Sequence, residues 1–274
     1  LPIVWGRLEA WGIFSLKSTL KETETRSPGK RHNHTGHAAM SQDLDTGVGM
    51  TLAKIKELGI EDNTYVIYIA DNGSYPLPNP GNTNGPVKGW KATLWEGGIR
   101  VPLIIAGPDI KHGRSRELAV GYDLFPTICD WLNIDDLPGQ VEGGSLAGVL
   151  SGGAQTKVQR ANPFLVFHFP HYQLAKGSHP VTTLYQGDYK LVKLWETGDY
   201  HLFDLRKDLA ETTDLAKKDT HRTVRMSRLM TDYLGSINAG IPTVNTHYDS
   251  ETDPGARHEN VKARLLKETY FVFE

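Results

Sequence analysis

The ten residues from Thr64 to Gly73 constrain the fold of this chain more than any other stretch. Thr64-Tyr-Val-Ile-Tyr-Ile-Ala70 is β-branched and aromatic with no consistent polar face, the pattern of a strand buried on both sides. Upstream, Met40, Leu44, Val48, Leu52 and Ile55 fall four, four, four and three residues apart, which predicts a helix with one apolar face. Gly59 stops that helix, and Ile60 is placed for the apolar contact that follows a glycine C-cap. A helix, the turn Glu61-Asp62-Asn63 and a buried strand make half of an α/β unit. Asp71-Asn72-Gly73 then leaves the strand at its carboxyl end, where open α/β sheets bind their ligands.

A second buried strand is expected at 101–106, and Asp123-Leu-Phe-Pro-Thr127 predicts a helix capped by Asp123 that runs to Leu132. Residues 139–153 hold six glycines and suggest a connection between subdomains. Beyond it, strands are expected at Phe164–Phe169, Val181–Gln186, Tyr189–Trp195 and His201–Asp204, with a hairpin turn at Gly187-Asp188. Met226, Leu229, Met230, Tyr233, Leu234 and Ile237 repeat on one helical face. Residues 1–35 are uneven and receive no firm assignment. The chain therefore divides into that divergent segment, an α/β portion over 36–150, an α+β subdomain over 151–240 and a polar tail over 241–274, with a short helix near Val261–Leu266.

Composition narrows the function classes. The 274 residues carry a formal net charge of −2, which does not favour nucleic acid, and no apolar run approaches the roughly 18 residues of a membrane-spanning helix. The opening Leu1-Pro-Ile-Val-Trp-Gly6 has no basic region before it and Arg7 follows directly, unlike a signal peptide. The first residue is not Met, so the gene product is expected to begin elsewhere. The single cysteine, Cys129, has no partner for an intramolecular disulfide, and its setting in Pro126-Thr-Ile-Cys-Asp-Trp131 reads as an inert buried thiol. The sequence specifies no oligomeric state.

Several residues could carry chemistry. Asp71 and Asn72 offer hard oxygen donors to Ca²⁺ or Mg²⁺, but two residues do not close a site, and Asp-Asn-Gly also simply turns a chain. Lys88, Lys91 and Arg100 lie among glycines, which suits an oxyanion or equally a solvated surface. His168 and His171 flank a proline in Phe167-His-Phe-Pro-His-Tyr172; an imidazole there either contacts a substrate or packs near a strand end. His32, His34 and His37 match no zinc spacing and have no cysteine nearby.

Thr64–Gly73, followed by Lys91-Ala-Thr-Leu-Trp-Glu-Gly-Gly-Ile-Arg-Val-Pro-Leu-Ile-Ile105, resembles the second half of a formylglycine-dependent sulfatase. Asp123–Thr127, Gly187-Asp-Tyr-Lys-Leu191 and Leu202-Phe-Asp-Leu205 resemble the same family in the same order, from about residue 36 to 240. The resemblance implies an alkaline-phosphatase-like α/β sandwich, incomplete at its N-terminal side, with a smaller C-terminal α+β subdomain. It implies hydrolysis of sulfate esters, those of carbohydrates in particular, through a covalent sulfate–enzyme intermediate, and a periplasmic or secreted full-length parent. Carried over by position, Asp71 and Asn72 resemble two Ca²⁺ ligands and Lys91 the sulfate-binding lysine, with His168 and His171 as further sulfate or sugar contacts.

The family nucleophile, a Cys or Ser in Cys/Ser-x-Pro-x-Arg, has no counterpart: Cys129 precedes Asp-Trp, and Ser27-Pro28-Gly29 lacks the spacing and the arginine. The paired aspartates that complete the cation site and the family's His-x-Pro segment are missing as well. The expectation is a sulfatase fragment without normal turnover. The alternatives are a non-catalytic protein that binds sulfated glycans or a partner, and a phosphoester or phosphonate hydrolase of the same superfamily. A sheet lacking neighbouring strands would expose an unpaired edge and an apolar face, so a marginal or associating protein is expected.

Overall fold

Buried polar side chains join the helices of the first part of the molecule. The computed structural model describes residues 4–6, 13–27, 34–74, 84–152, 157–172, 178–244 and 246. A short antiparallel pair, β1 (Val4–Gly6) and β2 (Ile13–Ser15), leads into α1 (Lys17–Glu24), which packs on the long helix α2 (Thr35–Glu57). The Asp43 carboxylate joins the two helices: it accepts the Thr19 hydroxyl at 2.6 Å and the Leu16 N–H at 2.8 Å. Such a joint has no hydrophobic period, so no apolar stripe in the sequence marks α1.

α2 occupies the predicted span, but its apolar stripe is not the face that packs. Gly36 and Ala39 are its buried residues, whereas Leu44 and Leu52 are 55% and 47% exposed. The helix meets α1 and β2, its buried residues lie in its N-terminal half, and most of its C-terminal half is exposed.

The strand expected at 64–70 is β3 (Val66–Ile69), and the one expected at 101–106 is β4 (Leu103–Ala106). They pair antiparallel with each other, Val66 opposite Ala106 and Ile69 opposite Leu103. The expectation of burial on both faces is corrected here: Ile104 is 63% exposed, because among the described residues these strands form a ribbon of two with one face covered. Tyr65 stacks flat on Trp131, with centroids 3.9 Å apart, and these rings with Ile67, Ile128 and Leu132 line an apolar groove of about 240 Å³. Exposed apolar surface of this kind favours association.

Between the two strands lies the one-turn helix α3 (Glu96–Ile99). After them come α4 (Leu124–Trp131), in which Cys129 is buried as expected, and the short α5 (Ala147–Leu150). Asp123 does not cap α4. Its carboxylate turns away from the helix to accept the N–H groups of Val120 and Gly144 at 2.9 and 3.0 Å and to pair with Arg160. The glycine-rich stretch expected to be a simple connection is thereby held to the α4 region.

The second half follows its alternation closely. β5 (Leu165–Phe169), β6 (Val181–Gln186), β7 (Tyr189–Leu194) and β8 (Tyr200–Asp204) form an antiparallel meander in that order. Gly187 supplies the positive φ of +59° that the two-residue β6–β7 turn requires. One sheet face buries Leu184, Leu191 and Leu202 against Met226, Met230 and Leu234 of α6 (Thr220–Ser236). The other buries Val181, Val192 and Phe203 against Leu94 and Trp95. The helix expected near Val261–Leu266 lies outside the described residues.

Candidate functional site

The sheet face that receives Leu94 and Trp95 also positions the residues singled out for chemistry. The Asp71-Asn72-Gly73 turn leaves β3 and meets α3 directly: the Gly73 N–H donates to the Gly98 carbonyl at 2.9 Å. A Cβ on residue 73 would lie 1.7 Å from the Gly97 carbonyl oxygen, so only glycine permits this approach. One residue on, the Ser74 carbonyl accepts the Lys91 N–H at 3.1 Å. Asn84 braces both strands of this crossing, accepting the Ser74 N–H at 2.7 Å and donating to the Gly89 carbonyl at 3.0 Å. The backbones of the Asp71–Ser74 turn and the Lys88–Gly98 loop are therefore stitched together. Ala92 carries a positive φ of 72°, a conformation costly for any residue but glycine, immediately after Lys91.

Within the turn, Asp71 is exposed and Asn72 half-buried, and the Asp71 carboxylate accepts the Asn72 N–H at 2.9 Å. Lys91 is half-buried. Lys88 lies over the Trp95 ring at 3.5 Å, and partial loss of hydration holds its ammonium below the ordinary lysine range. A carboxylate and an amide carbonyl suit a hard divalent cation by type, but not by number. Calcium takes about six to eight oxygens, and among the described residues no cluster of three His, Cys, Asp or Glu side chains could hold a metal ion. These residues alone do not close a calcium site.

Both ring nitrogens of His168 bond to protein. Nε2 lies 2.9 Å from the Gly240 carbonyl, which only accepts, so it carries the proton. Nδ1 lies 2.7 Å from the Thr182 hydroxyl, which also accepts the Trp195 indole N–H at 2.8 Å and so donates to the imidazole. His168 thus ties β5 and β6 to the segment after α6. His171 is exposed beyond the end of β5, its ring 4.5 Å from that of Phe169. Phe169 itself packs against the cluster that includes Leu94 and Trp95, so His171 extends from the same side of the sheet as the Lys91 loop. His34 begins α2, its Nδ1 accepting the His37 N–H at 3.0 Å, and His32 lies outside the described residues.

Sequence reasoning missed a buried charged cluster behind the loop. Lys190 is fully buried, with Nζ 3.1 Å from Glu96 and 2.7 Å from Glu211. Burial pushes the Glu96 carboxyl up, but Lys190, the Tyr185 hydroxyl and Arg100 outweigh it and leave it below the usual range. Burial dominates at Glu211, whose carboxyl is raised despite Lys190. A signal existed: Lys190 shares its strand face with Val192 and Leu194, where a lysine must find buried partners.

Two family models match the chain. The Sulfatase model covers residues 15–134, and the model described as N-sulphoglucosamine sulphohydrolase, C-terminal, covers residues 88–236. A sulfatase of Formosa agariphila is 28% identical over 269 residues, an alignment that takes in 90% of this chain and 47% of the relative. Among solved structures, Ps i-CgsB in complex with k-i-k-neocarrahexaose superposes with a TM-score of 0.67 at 20% identity, covering 96% of this chain and 55% of that one. A structure described as a complex with its substrate D-glucosamine-2-N,6-O-disulfate superposes at 0.61 and 19% identity, covering 81% of this chain and 42% of that one. The chain thus spans about half the length of these relatives, and it shares their fold.

Proposed function

The chain belongs to the sulfatase family, and from that premise we propose that it forms the sulfate-binding side of a sulfuric ester hydrolase acting on sulfated carbohydrates. The observation that carries this reading is the pair of backbone hydrogen bonds, Gly73 to Gly98 and Lys91 to Ser74, that set the Asp71–Asn72 turn beside the lysine loop. The carbohydrate substrate class is supported by the ligands named for the two superposing structures.

In this reading the Lys91 ammonium faces the sulfuryl oxygens and balances the charge that grows as the S–O bond breaks. Asp71 and Asn72 would supply two of the oxygens of a larger calcium site, and His171 contacts a sugar hydroxyl. The nucleophile is not among these 274 residues. The two Ser-x-Pro sequences, Ser74-Tyr-Pro-Leu-Pro78 and Ser178-His-Pro-Val-Thr182, end in Pro and Thr where the family motif has Arg. The chain by itself therefore binds a sulfate ester and does not hydrolyse it, which equally suits a non-catalytic glycan-binding role.

The test is calorimetric titration with glucosamine 6-sulfate and with unsulfated glucosamine, together with an assay for released sulfate. A charge-assisted contact contributes about 1.5–3 kcal/mol, or roughly tenfold or more in affinity. Saturable binding of the sulfated sugar alone, weakened at least tenfold by Lys91→Ala and without sulfate release, is expected. Equal binding of both sugars refutes the sulfate site, and sulfate release that is lost on Lys91→Ala refutes the absence of turnover.

A further inference from the structure

Two carboxylates and one ammonium lie completely enclosed where the C-terminal sheet meets α3: Glu96 is 1% exposed, Glu211 3% and Lys190 0%. Removing each charge from water costs several kcal/mol, and well-packed apolar side chains of similar volume often stabilise such a place as well or better. Stability alone is thus a poor account of the cluster. Glu211 adds a second cost, because its backbone has a positive φ of 55°, a strained conformation for a side-chain-bearing residue.

What these costs achieve is a fixed position. The Glu211 carboxylate accepts the backbone N–H of Glu96 at 2.8 Å, at the first residue of α3. The next residue, Gly97, donates its N–H to the Lys88 carbonyl at 2.6 Å, and Gly98 accepts the Gly73 N–H at 2.9 Å. Lys190, on β7, bridges both carboxylates, and Tyr185 on β6 donates to Glu96. An unbroken chain of polar contacts therefore runs from the C-terminal sheet through α3 to the turn that carries Asp71 and Asn72.

We infer that Glu211 and Lys190 are positioning residues: they seat α3 so that its backbone holds the Asp71–Asn72–Gly73 turn in register with the Lys91 loop. They act through Glu96 and touch no substrate. The functional meaning of that register rests on the sulfatase reading, but the mechanical link does not.

The experiment is native-state amide exchange by NMR on the full chain, comparing Glu211→Leu with Glu211→Gln. In both variants Lys190 keeps its pair with Glu96. Leucine removes the acceptor for the Glu96 N–H, whereas glutamine retains one. Exchange at Gly73 is expected to rise at least tenfold in Glu211→Leu and to return within threefold of the parent in Glu211→Gln. The Leu184 and Val192 amides in the meander should stay within threefold of the parent in both. A uniform change at Gly73 and the meander, an unchanged Gly73, or loss of the fold in both variants overturns the positioning role. No ligand enters this measurement, so failure of the sulfatase reading would appear in the sugar titration and leave the exchange result standing.

Discussion

Replacing Asp123 by alanine lowers stability by about 3–5 kcal/mol, the loss expected when one partner of a buried ion pair is removed. The Asp123 side chain is fully buried, and that of Arg160 is 9% exposed. One carboxylate oxygen accepts Arg160 Nε at 2.8 Å and the Gly144 N–H at 3.0 Å; the other accepts Arg160 Nη2 at 2.6 Å and the Val120 N–H at 2.9 Å. Truncation leaves a largely buried guanidinium and two amides without their acceptor. Arg160 also donates to the Leu118 carbonyl, so it cannot simply swing out to solvent without breaking a further bond. Urea unfolding of the parent and the variant checks the prediction. A midpoint shift worth less than about 1 kcal/mol, the net value of one ordinary hydrogen bond, would show that the carboxylate is not the joint between the α4 region and the glycine-rich stretch.

Gly73→Ala is the second large effect, and it falls on the site. The new methyl group would meet the Gly97 carbonyl oxygen at 1.7 Å and its carbon at 2.7 Å, both backbone atoms. No rotamer relieves such a clash, so the turn must withdraw and the hydrogen bond to Gly98 must break. Overpacking of this kind costs about 1–3 kcal/mol, and sulfated-sugar affinity should fall at least tenfold as Asp71 and Asn72 move away from the Lys91 loop. Thermal melts and the sugar titration read the two consequences separately. Unchanged affinity would mean that the turn and the loop do not act together.

The parts of the fold legible in the sequence are those whose partners lie close in sequence or share a regular period. The β6–β7 hairpin matches its expected limits to within one residue because alternation and Gly187-Asp188 specify it locally. α6 follows from Met226, Met230 and Leu234 at one-turn spacing. The α1–α2 joint is not legible, because Thr19 and Asp43 form it with polar groups. Asp123 reads as a helix cap by its local setting, yet its partners Gly144 and Arg160 are 21 and 37 residues away. β3 and β4 read as strands buried on both faces, since a continuous apolar run cannot reveal whether a second layer covers it.

The candidate site divides in the same way. Asp71, Asn72 and Lys91 are visible as chemistry at a strand end and in a glycine-rich loop. Their supports, Glu96, Lys190 and Glu211, are not, because the ion cluster joins residues 94 and 115 positions apart in sequence. His168, near a proline, reads either as a ligand contact or as packing near a strand end, and its two nitrogens bond to Thr182 and Gly240.

Lys91 and the Asp71–Asn72 turn are proposed to form one anion-recognising surface. Titration of the isotope-labelled chain with sodium sulfate, followed through its backbone amide resonances, tests it most directly. The largest saturable shifts should fall at Asn72, Gly73 and Lys91 and vanish in Lys91→Ala. Shifts centred instead on exposed cations such as Arg206 and Lys207, or an unaltered response in Lys91→Ala, would contradict it.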